Sequence, residues 1–249
     1  MTRLKAFAVH LAISLCVVSL FAALLLTLWY PGPHLELTGG FRVMLIIIAV
    51  DATVGPLLTL IVFRPGKRGL RFDLTVIAAI QLAAFLYGAG TMYLGRPLYM
   101  PFEVDRFNVV SAKHLADGVP GESVRLKPWR PGPELVSLGL PADPIARRQF
   151  LTEALFEGVD PSFRPSLYAP YPPERLDEMA AKALDVEPLI EGDPRNGQRL
   201  NRFAQDAQRS LDALWFFPVV GDVEDALAAV DPDTGAFLGY VRVDPYPGD

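Results

Sequence analysis

The chain begins with three long apolar runs that are separated by short polar loops. The runs cover residues 6–29, 41–63 and 74–94. Each is long enough for a transmembrane helix, which needs about 20 predominantly apolar residues. Beyond the third run, shorter apolar stretches alternate with charged and proline-rich segments, a pattern typical of a water-soluble fold. The pattern therefore predicts a three-helix transmembrane domain over 1–95 and a second domain over 96–249.

The second part of the chain mixes helical and strand-like patterns. Apolar residues recur at helical spacing in three segments: 141–158, 172–186 and 197–214. Residues 104–110 are typical of a strand and 215–221 of a buried strand or turn, whereas 118–144 are rich in Gly and Pro and indicate a loop. Two β-like runs around residues 231–235 predict a hairpin. The predicted fold class is an α-helical membrane domain plus a C-terminal α+β domain.

Charge is unevenly distributed along the chain and predicts its orientation. Residues 1–95 carry seven basic and three acidic side chains, a net charge of +4, whereas 96–249 carry sixteen and twenty-five, a net charge of −9. The basic residues of the first part lie mostly at the N-terminus and in the loop 64–73, and the loop 30–40 has none. The positive-inside rule then predicts a cytoplasmic N-terminus and a periplasmic C-terminal domain, in a bacterial inner membrane.

Composition and motifs exclude several classes of function. The acidic second part argues against nucleic-acid binding, and the single Cys16 permits no intrachain disulfide. His10, His34 and His114 are scattered, so the sequence predicts no metal site and no cofactor. The Asp231–Gly235 stretch lacks the later ligands of a calcium loop and favours a turn. No catalytic residue is assigned, although a triad distant in sequence stays open.

Asp51 lies near the middle of the second apolar run, where a charge costs about 2.5 to 3.5 kcal/mol on insertion scales. Five residues later, Pro56 removes a backbone donor and leaves a carbonyl without its helical partner. Asp51 is compatible with three roles: a relay for protons or ions, a partner within the bundle, or a docking group for another protein's helix. Three helices enclose little space, which favours the last two.

Aligning the predicted helices antiparallel brings polar and small residues to similar depths. Gln81 comes level with Pro56, so we expect it to donate to the freed carbonyl, while Ser14 or Ser19 approaches Asp51. Small residues at four-residue spacing allow close helix contact. The sequence therefore predicts a partner-binding patch in the membrane that consists of these residues: Asp51, Gly55, Pro56, Gln81, Ala84 and Gly88.

Charged residues follow the third run closely, at Glu103, Asp105 and Arg106. Their alternating signs are typical of an ion-paired surface strand. They are also placed to meet a partner near the membrane surface.

Two segments resemble a known family. The stretch Asp51-Ala52-Thr53-Val54-Gly55-Pro56 and residues 95–115 are similar to the type IV pilin accessory proteins of the TfpX/TfpZ family, as is the plan of three helices followed by an outer domain. The resemblance implies an inner-membrane protein that assists the assembly or surface display of a cognate major pilin, alongside other inner-membrane assembly components. It implies no catalytic residues.

The resulting hypothesis is a chaperone-like, non-catalytic role. The membrane patch would receive the pilin helix, and the outer domain would contact the pilin head. The alternative is a small membrane enzyme with a periplasmic active site that acts on pilin or envelope glycan. A sensor is disfavoured because the predicted cytoplasmic part is very short.

Overall fold

The computed structural model describes residues 2–116, 129–139, 143–145, 147–148, 152, 160–174 and 176–247. Three helices in it are long and apolar enough to cross a membrane: α1 (Arg3–Trp29), α3 (Gly40–Val62) and α4 (Leu70–Gly95). A one-turn helix, α2 (His34–Leu37), lies between the first two. The third long helix begins at Leu70 and therefore includes part of the segment that the sequence assigns to a loop.

The described residues after α4 form an α+β fold around one sheet. Its strands are β1 (Pro97–Glu103), β2 (Arg106–Asn108), β3 (Val110–Ser111), β4 (Glu134–Leu138), β5 (Tyr168–Pro170), β6 (Trp215–Val220), β7 (Ala226–Val230) and β8 (Phe237–Val241). Their order is β5-β4-β1-β2-β6-β7-β8, with β3 beside β1. The pairs β1–β4 and β2–β6 are parallel and the other pairs are antiparallel. The predicted fold class, three apolar helices followed by an α+β fold, is confirmed.

The helices that accompany the sheet are short, apart from one. They are α5 (Ala112–Ala116), α6 (Leu176–Ala180), α7 (Glu187–Gly192) and α8 (Pro194–Asp206). Alternate residues of β7 point into two cores, as the two-residue period of a strand requires. Ala228 joins a core with Phe107 and Phe217, whereas Leu227 packs with Leu200 of α8 in the other core.

The segment between α1 and α3 is seated in the α+β fold. Leu37 of α2 is only 2% exposed and belongs to the same core as Phe107 and Phe217. The backbone N–H groups of Asp222 and Val223 donate to its carbonyl oxygen at 2.8 and 3.0 Å. The sequence predicts only a turn-rich loop here, but α2 is a joint between the membrane helices and the sheet.

Two strand assignments are wrong. The predicted strand over 104–110 contains a turn at residues 104–105, between β1 and β2, where Phe102 faces Phe107. Val and Asp occupy this turn in place of the Gly or Asn that mark tight hairpins, so the sequence gives no turn signal. The predicted loop 118–144 contains β4, which pairs with β1 through backbone contacts distant in sequence.

The helix predictions have mixed outcomes. The helix predicted over 172–186 ends at Ala180, because the Leu184 N–H donates to the Phe216 carbonyl of β6. The helix predicted over 197–214 is α8, which begins at Pro194 and ends at Asp206, and the side chain of Asp193 accepts a capping bond from Arg195. The strand over 215–220 and the hairpin β7–β8 are confirmed. The apolar residues of the segment 141–158 (Phe150, Leu151, Ala154 and Leu155) lie outside the described residues.

Acidification should weaken the joint at α2. His34 is fully buried, its Nε2 lies 2.8 Å from the Tyr240 hydroxyl, and burial lowers the pKa of His34 from 6.5 to about 4. A folded-state pKa below the unfolded value leaves stability intact above about pH 6.5 and lowers it as the pH falls toward 4. The free energy of unfolding should decrease by roughly 3 kcal/mol more in the wild type than in His34→Gln over this range.

Chemical denaturation of both proteins in detergent, at a series of pH values, measures this difference. A difference that does not change with pH would contradict the burial of a neutral His34.

Candidate partner-binding groove

The centre of α3 is locally underwound and widened around Asp51. Residues Val50–Val54 form a π-helical turn, in which the Gly55 N–H donates to the Val50 carbonyl five residues back. The same spacing would pair residue 56 with the Asp51 carbonyl, but Pro56 has no N–H. Gln81 of α4 donates its Nε2 to that carbonyl at 3.4 Å. The predicted hydrogen bond of Gln81 to a carbonyl freed by Pro56 is confirmed, and that carbonyl is the one of Asp51 itself; the part of Gln81 in partner binding stays a prediction.

Two glycines of the predicted patch serve contacts between α3 and α4. A Cβ at Gly55 would lie 1.9 Å from Gln81 Nε2, and one at Gly88 would lie 2.6 Å from Ile47 Cγ1. Helices that pack in a bilayer depend on such small residues for close approach. The contact between α3 and α4 thus depends on four residues of the predicted patch: Gly55, Pro56, Gln81 and Gly88.

A groove of about 270 Å³ lies between α3 and α4, beside these contacts. Its lining is mostly apolar and consists of Val43, Ile46, Ile47, Val50, Asp51, Ala84, Phe85, Tyr87, Gly88 and Thr91. The Asp51 side chain is part of this lining although the residue is only 6% exposed, and its Oδ2 has no hydrogen-bond partner among the described residues. A buried polar atom without a partner costs free energy, so the groove has an unfilled acceptor at the middle of the membrane helix.

The first helix does not provide the expected partner for Asp51. Ser19 is exposed, and no hydrogen bond joins it to Asp51 among the described residues. Ser14 is buried, but no hydrogen bond joins it to Asp51 in the part of the chain that the structure describes. The polar contact between α1 and α3 is instead that of His10 Nδ1 with the Thr59 hydroxyl, at 2.6 Å.

The charged residues after α4 have two different environments. The Glu103 carboxylate accepts hydrogen bonds from Asn108 and Ser162, both at 2.8 Å, and burial raises the pKa of Glu103. Asp105 and Arg106 form a surface ion pair at 2.8 Å, and the hydrogen bond from Arg106 lowers the pKa of Asp105. Glu103 therefore holds the segments around Asn108 and Ser162 together, whereas the side chains of Asp105 and Arg106 stay accessible to solvent. None of the three lines the groove.

Sequence reasoning missed a chain of contacts that joins Ser111, His114 and Asp222. Ser111 Oγ lies 3.3 Å from His114 Nδ1, and His114 Nε2 lies 3.1 Å from Asp222 Oδ1. Burial acts to raise the pKa of Asp222, but hydrogen bonds from His114 and Lys113 outweigh it and leave the pKa lowered. The residue types are those of a hydrolase triad.

The surroundings of this chain of contacts favour a structural role. Ser111 is fully buried, which keeps its hydroxyl away from any substrate. His114 Nδ1 also accepts from the Ser111 backbone N–H at 3.3 Å, a histidine version of the capping box at the start of α5. Asp222 in turn holds the carbonyl of Leu37 through its backbone N–H. The S-x-x-H spacing was the available sequence signal, and it indicates a cap.

The predicted turn at Asp231 is confirmed. Asp231 Oδ1 accepts from the backbone N–H groups of Asp233 and Thr234, and Oδ2 pairs with Arg209. Both carboxylate oxygens are thus engaged. Across the described ranges, no three His, Cys, Asp or Glu side chains lie close enough to hold a metal ion.

Widening the contact between α3 and α4 should destabilise the bundle. Gly88→Ala places a methyl group against Ile47, whereas Gly90→Ala meets no atom within 4 Å. Both changes alter the backbone preference of the same helix alike, so the difference between them isolates the helix contact. The free energy of unfolding of Gly88→Ala should be about 1–3 kcal/mol lower than that of Gly90→Ala.

Titration with SDS in mixed micelles, followed by circular dichroism, measures the two midpoints. Equal midpoints would show that the two helices separate at this position without cost.

Comparisons with known proteins agree on one family. Residues 1–39 match the model of the fimbrial assembly protein FimB. The chain is 32% identical to the fimbrial assembly protein of serogroup I of Dichelobacter nodosus over 225 residues, which are 88% of this chain and 86% of that protein. The serogroup E1 protein of that organism is 30% identical over the same shares. The protein of serogroups C1 and C2 is 38% identical over 109 residues, 43% of this chain and 83% of that one.

No solved structure matches the chain. With a relative above 30% identity that aligns over most of both sequences, the chain belongs to the family of fimbrial assembly proteins.

Proposed function

We propose that this protein acts in the assembly of type IV pili as a non-catalytic membrane partner of a cognate major pilin, as the resemblance to the TfpX/TfpZ family implies. The names of the Dichelobacter nodosus relatives support the role in assembly. The groove between α3 and α4 supports the binding of a membrane helix, because its unfilled acceptor and apolar walls suit a helix with one polar group.

The proposed location is the bacterial inner membrane, with domains over 1–95 and 96–249, a cytoplasmic N-terminus and a periplasmic C-terminal domain. The basic loop 64–73 supports this orientation. So does the joint at α2, because a segment between α1 and α3 can pack on the sheet only if both lie on one side of the membrane.

The pilin helix would lie along the groove and fill it with apolar side chains. A volume of about 270 Å³ is many times the roughly 10–15 Å³ that one water molecule needs, so it admits a large side chain. The single observation that carries the proposal is the unpartnered Asp51 Oδ2 in the wall of this groove. A hydrogen-bond donor on the pilin helix would satisfy it, and such a bond within a bilayer is worth about 1–2 kcal/mol.

The outer part would make the second contact. Asp105 and Arg106 are accessible at the end of the β1–β2 hairpin, close in sequence to the membrane helix α4. We propose that these two side chains bind the pilin head. Glu103 is already engaged by its hydrogen bonds within the chain. Other inner-membrane assembly components are further candidate partners of this surface.

A photo-crosslinking residue tests the groove directly. Placed at position 84, which is exposed and lines the groove, it should form an adduct with the pilin. Placed at position 13, where Ile13 of α1 is 58% exposed, it should not. The adduct at position 84 should fall about 5- to 30-fold in Asp51→Leu and persist in Asp51→Asn, because the amide retains an acceptor oxygen.

Surface pili should be lost in Asp51→Leu and retained in Asp51→Asn. Equal adducts from positions 84 and 13 would rule out the groove as the pilin site. Loss of pili in Asp51→Asn as well would favour a proton or ion relay.

The enzyme alternative depends on the Ser111–His114–Asp222 chain. For a structural cap, Ser111→Ala should leave the number of surface pili within about twofold, because the cap uses the backbone N–H. For a nucleophile, the same change should lower the activity about 10⁴-fold and abolish piliation. Ser137→Ala is the matched control, since Ser137 is also buried and its hydroxyl has no partner. Loss of pili in Ser111→Ala alone, at equal protein level, would favour the enzyme.

A further inference from the structure

A buried arginine without a carboxylate partner lies where the membrane helices meet the sheet. Arg96 directly follows α4 and is only 2% exposed. One terminal nitrogen, Nη1, donates to the Tyr93 carbonyl, and the guanidinium lies 3.6 Å from the centre of the Tyr93 ring. The other, Nη2, has no hydrogen-bond partner in the part of the chain that the structure describes. Burial lowers the pKa of Arg96, and the phenol groups of Tyr93 and Tyr30 oppose this shift.

Such an arrangement is costly in the isolated chain. A buried charge without a counter-ion is strongly destabilising, because it has lost its hydration without gaining a partner. An anionic group from outside the chain would offset this cost by accepting from Nη2.

A small cavity has Arg96 in its lining. It is lined by Leu28, Trp29, Arg96, Pro97, Leu98, Tyr99, Arg130, Gly132 and Glu134. Its volume is about 10 Å³, near the 10–15 Å³ needed for one water-sized atom, and it opens to the outside. Arg130 pairs with Glu134 at 2.6 Å, so the described lining of the cavity contains two guanidinium groups and one carboxylate. The volume of the cavity and the positive charge of its lining suit one oxygen atom of an oxyanion. The rest of the oxyanion would remain outside the cavity.

The position of the cavity indicates where that oxyanion comes from. Trp29, at the end of α1, packs edge-on against Tyr93 at 5.2 Å, and aromatic residues of this kind mark the membrane surface. The Gly132 N–H donates to the Leu28 carbonyl at 2.9 Å, which fastens the segment before β4 to the end of α1. Trp129, next to Arg130, is 74% exposed. The walls therefore combine a membrane helix, an aromatic belt and two arginines at headgroup level.

We propose that this cavity binds the phosphate group of a membrane phospholipid, with Arg96 Nη2 donating to one phosphate oxygen and Arg130 adding positive charge at the mouth. The bound lipid would connect the ends of α1 and α4 to β1 and β4, and so hold the sheet against the membrane surface. This inference is independent of the pilin groove, which lies between α3 and α4.

The full-length protein, purified in detergent, tests the proposal by native mass spectrometry and thermal unfolding. Phosphatidylglycerol should be retained as a bound lipid and should raise the midpoint of unfolding. A galactolipid, which has no phosphate, should do neither. Arg96→Gln should weaken phosphatidylglycerol binding by more than about fivefold, the effect of one basic residue at a membrane surface. Arg42→Gln, an exposed arginine at the same end of the bundle, should leave binding unchanged.

Two further positions, the exposed Arg130 and the half-buried Glu134, keep the test informative if Arg96→Gln fails to fold. Arg130→Gln should weaken binding about fivefold, whereas Glu134→Gln should strengthen it, because the nearby negative charge is removed. If these residues had a purely structural role, Arg130→Gln and Glu134→Gln would not change lipid binding in opposite directions.

The possible outcomes separate a lipid from a free anion. Stabilisation by inorganic phosphate alone, lost in Arg96→Gln, would assign the site to a free anion and overturn the lipid. Equal effects of the phospholipid on the wild type and on the Arg96 and Arg130 variants, or equal effects of the galactolipid, would overturn the phosphate site altogether.

Discussion

The burial of Leu37 is the contact on which the arrangement of the molecule depends. The short segment between α1 and α3 has to reverse the chain at the membrane surface, and it also fills a hole in the core of the sheet. Gly221 makes this possible, because a Cβ there would lie 2.4 Å from the Leu37 carbonyl oxygen. The sheet is thus held at α2 as well as at the end of α4, and it cannot swing freely on a single linker.

Among the buried polar atoms of the described residues that lack a hydrogen-bond partner, two belong to charged side chains that line a cavity. Asp51 Oδ2 is an acceptor inside the membrane, and Arg96 Nη2 is a donor at its surface. The Glu103 carboxylate, by contrast, is satisfied within the chain by Asn108 and Ser162. A protein that keeps both groups unpaired has its stability and specificity tied to ligands from outside. We connect the first with a pilin helix and the second with a lipid phosphate.

Features that depend on neighbouring residues were predictable. The length of the apolar runs predicts the three helices, because a bilayer imposes that length on each run separately. The partnership of Gln81 with the carbonyl freed by Pro56 follows from simple counting along antiparallel helices. The hairpin β7–β8 follows from two β-like runs and the turn residues between them. In each case the deciding interactions lie within one element or between adjacent ones.

Contacts between distant parts of the chain could be decided only by the tertiary structure. Nothing in the spacing of residues 30–40 indicates that His34 meets Tyr240, or that Leu37 enters a core built from β2, β6 and β7. The hairpin at Val104 and the strand β4 were missed because pairing with β1 overrode weak local preferences. The sequence by itself determined the apolar lengths and the buried carboxylate of this protein. Which polar groups find partners, and which stay open to a ligand, depends on packing that no local pattern records.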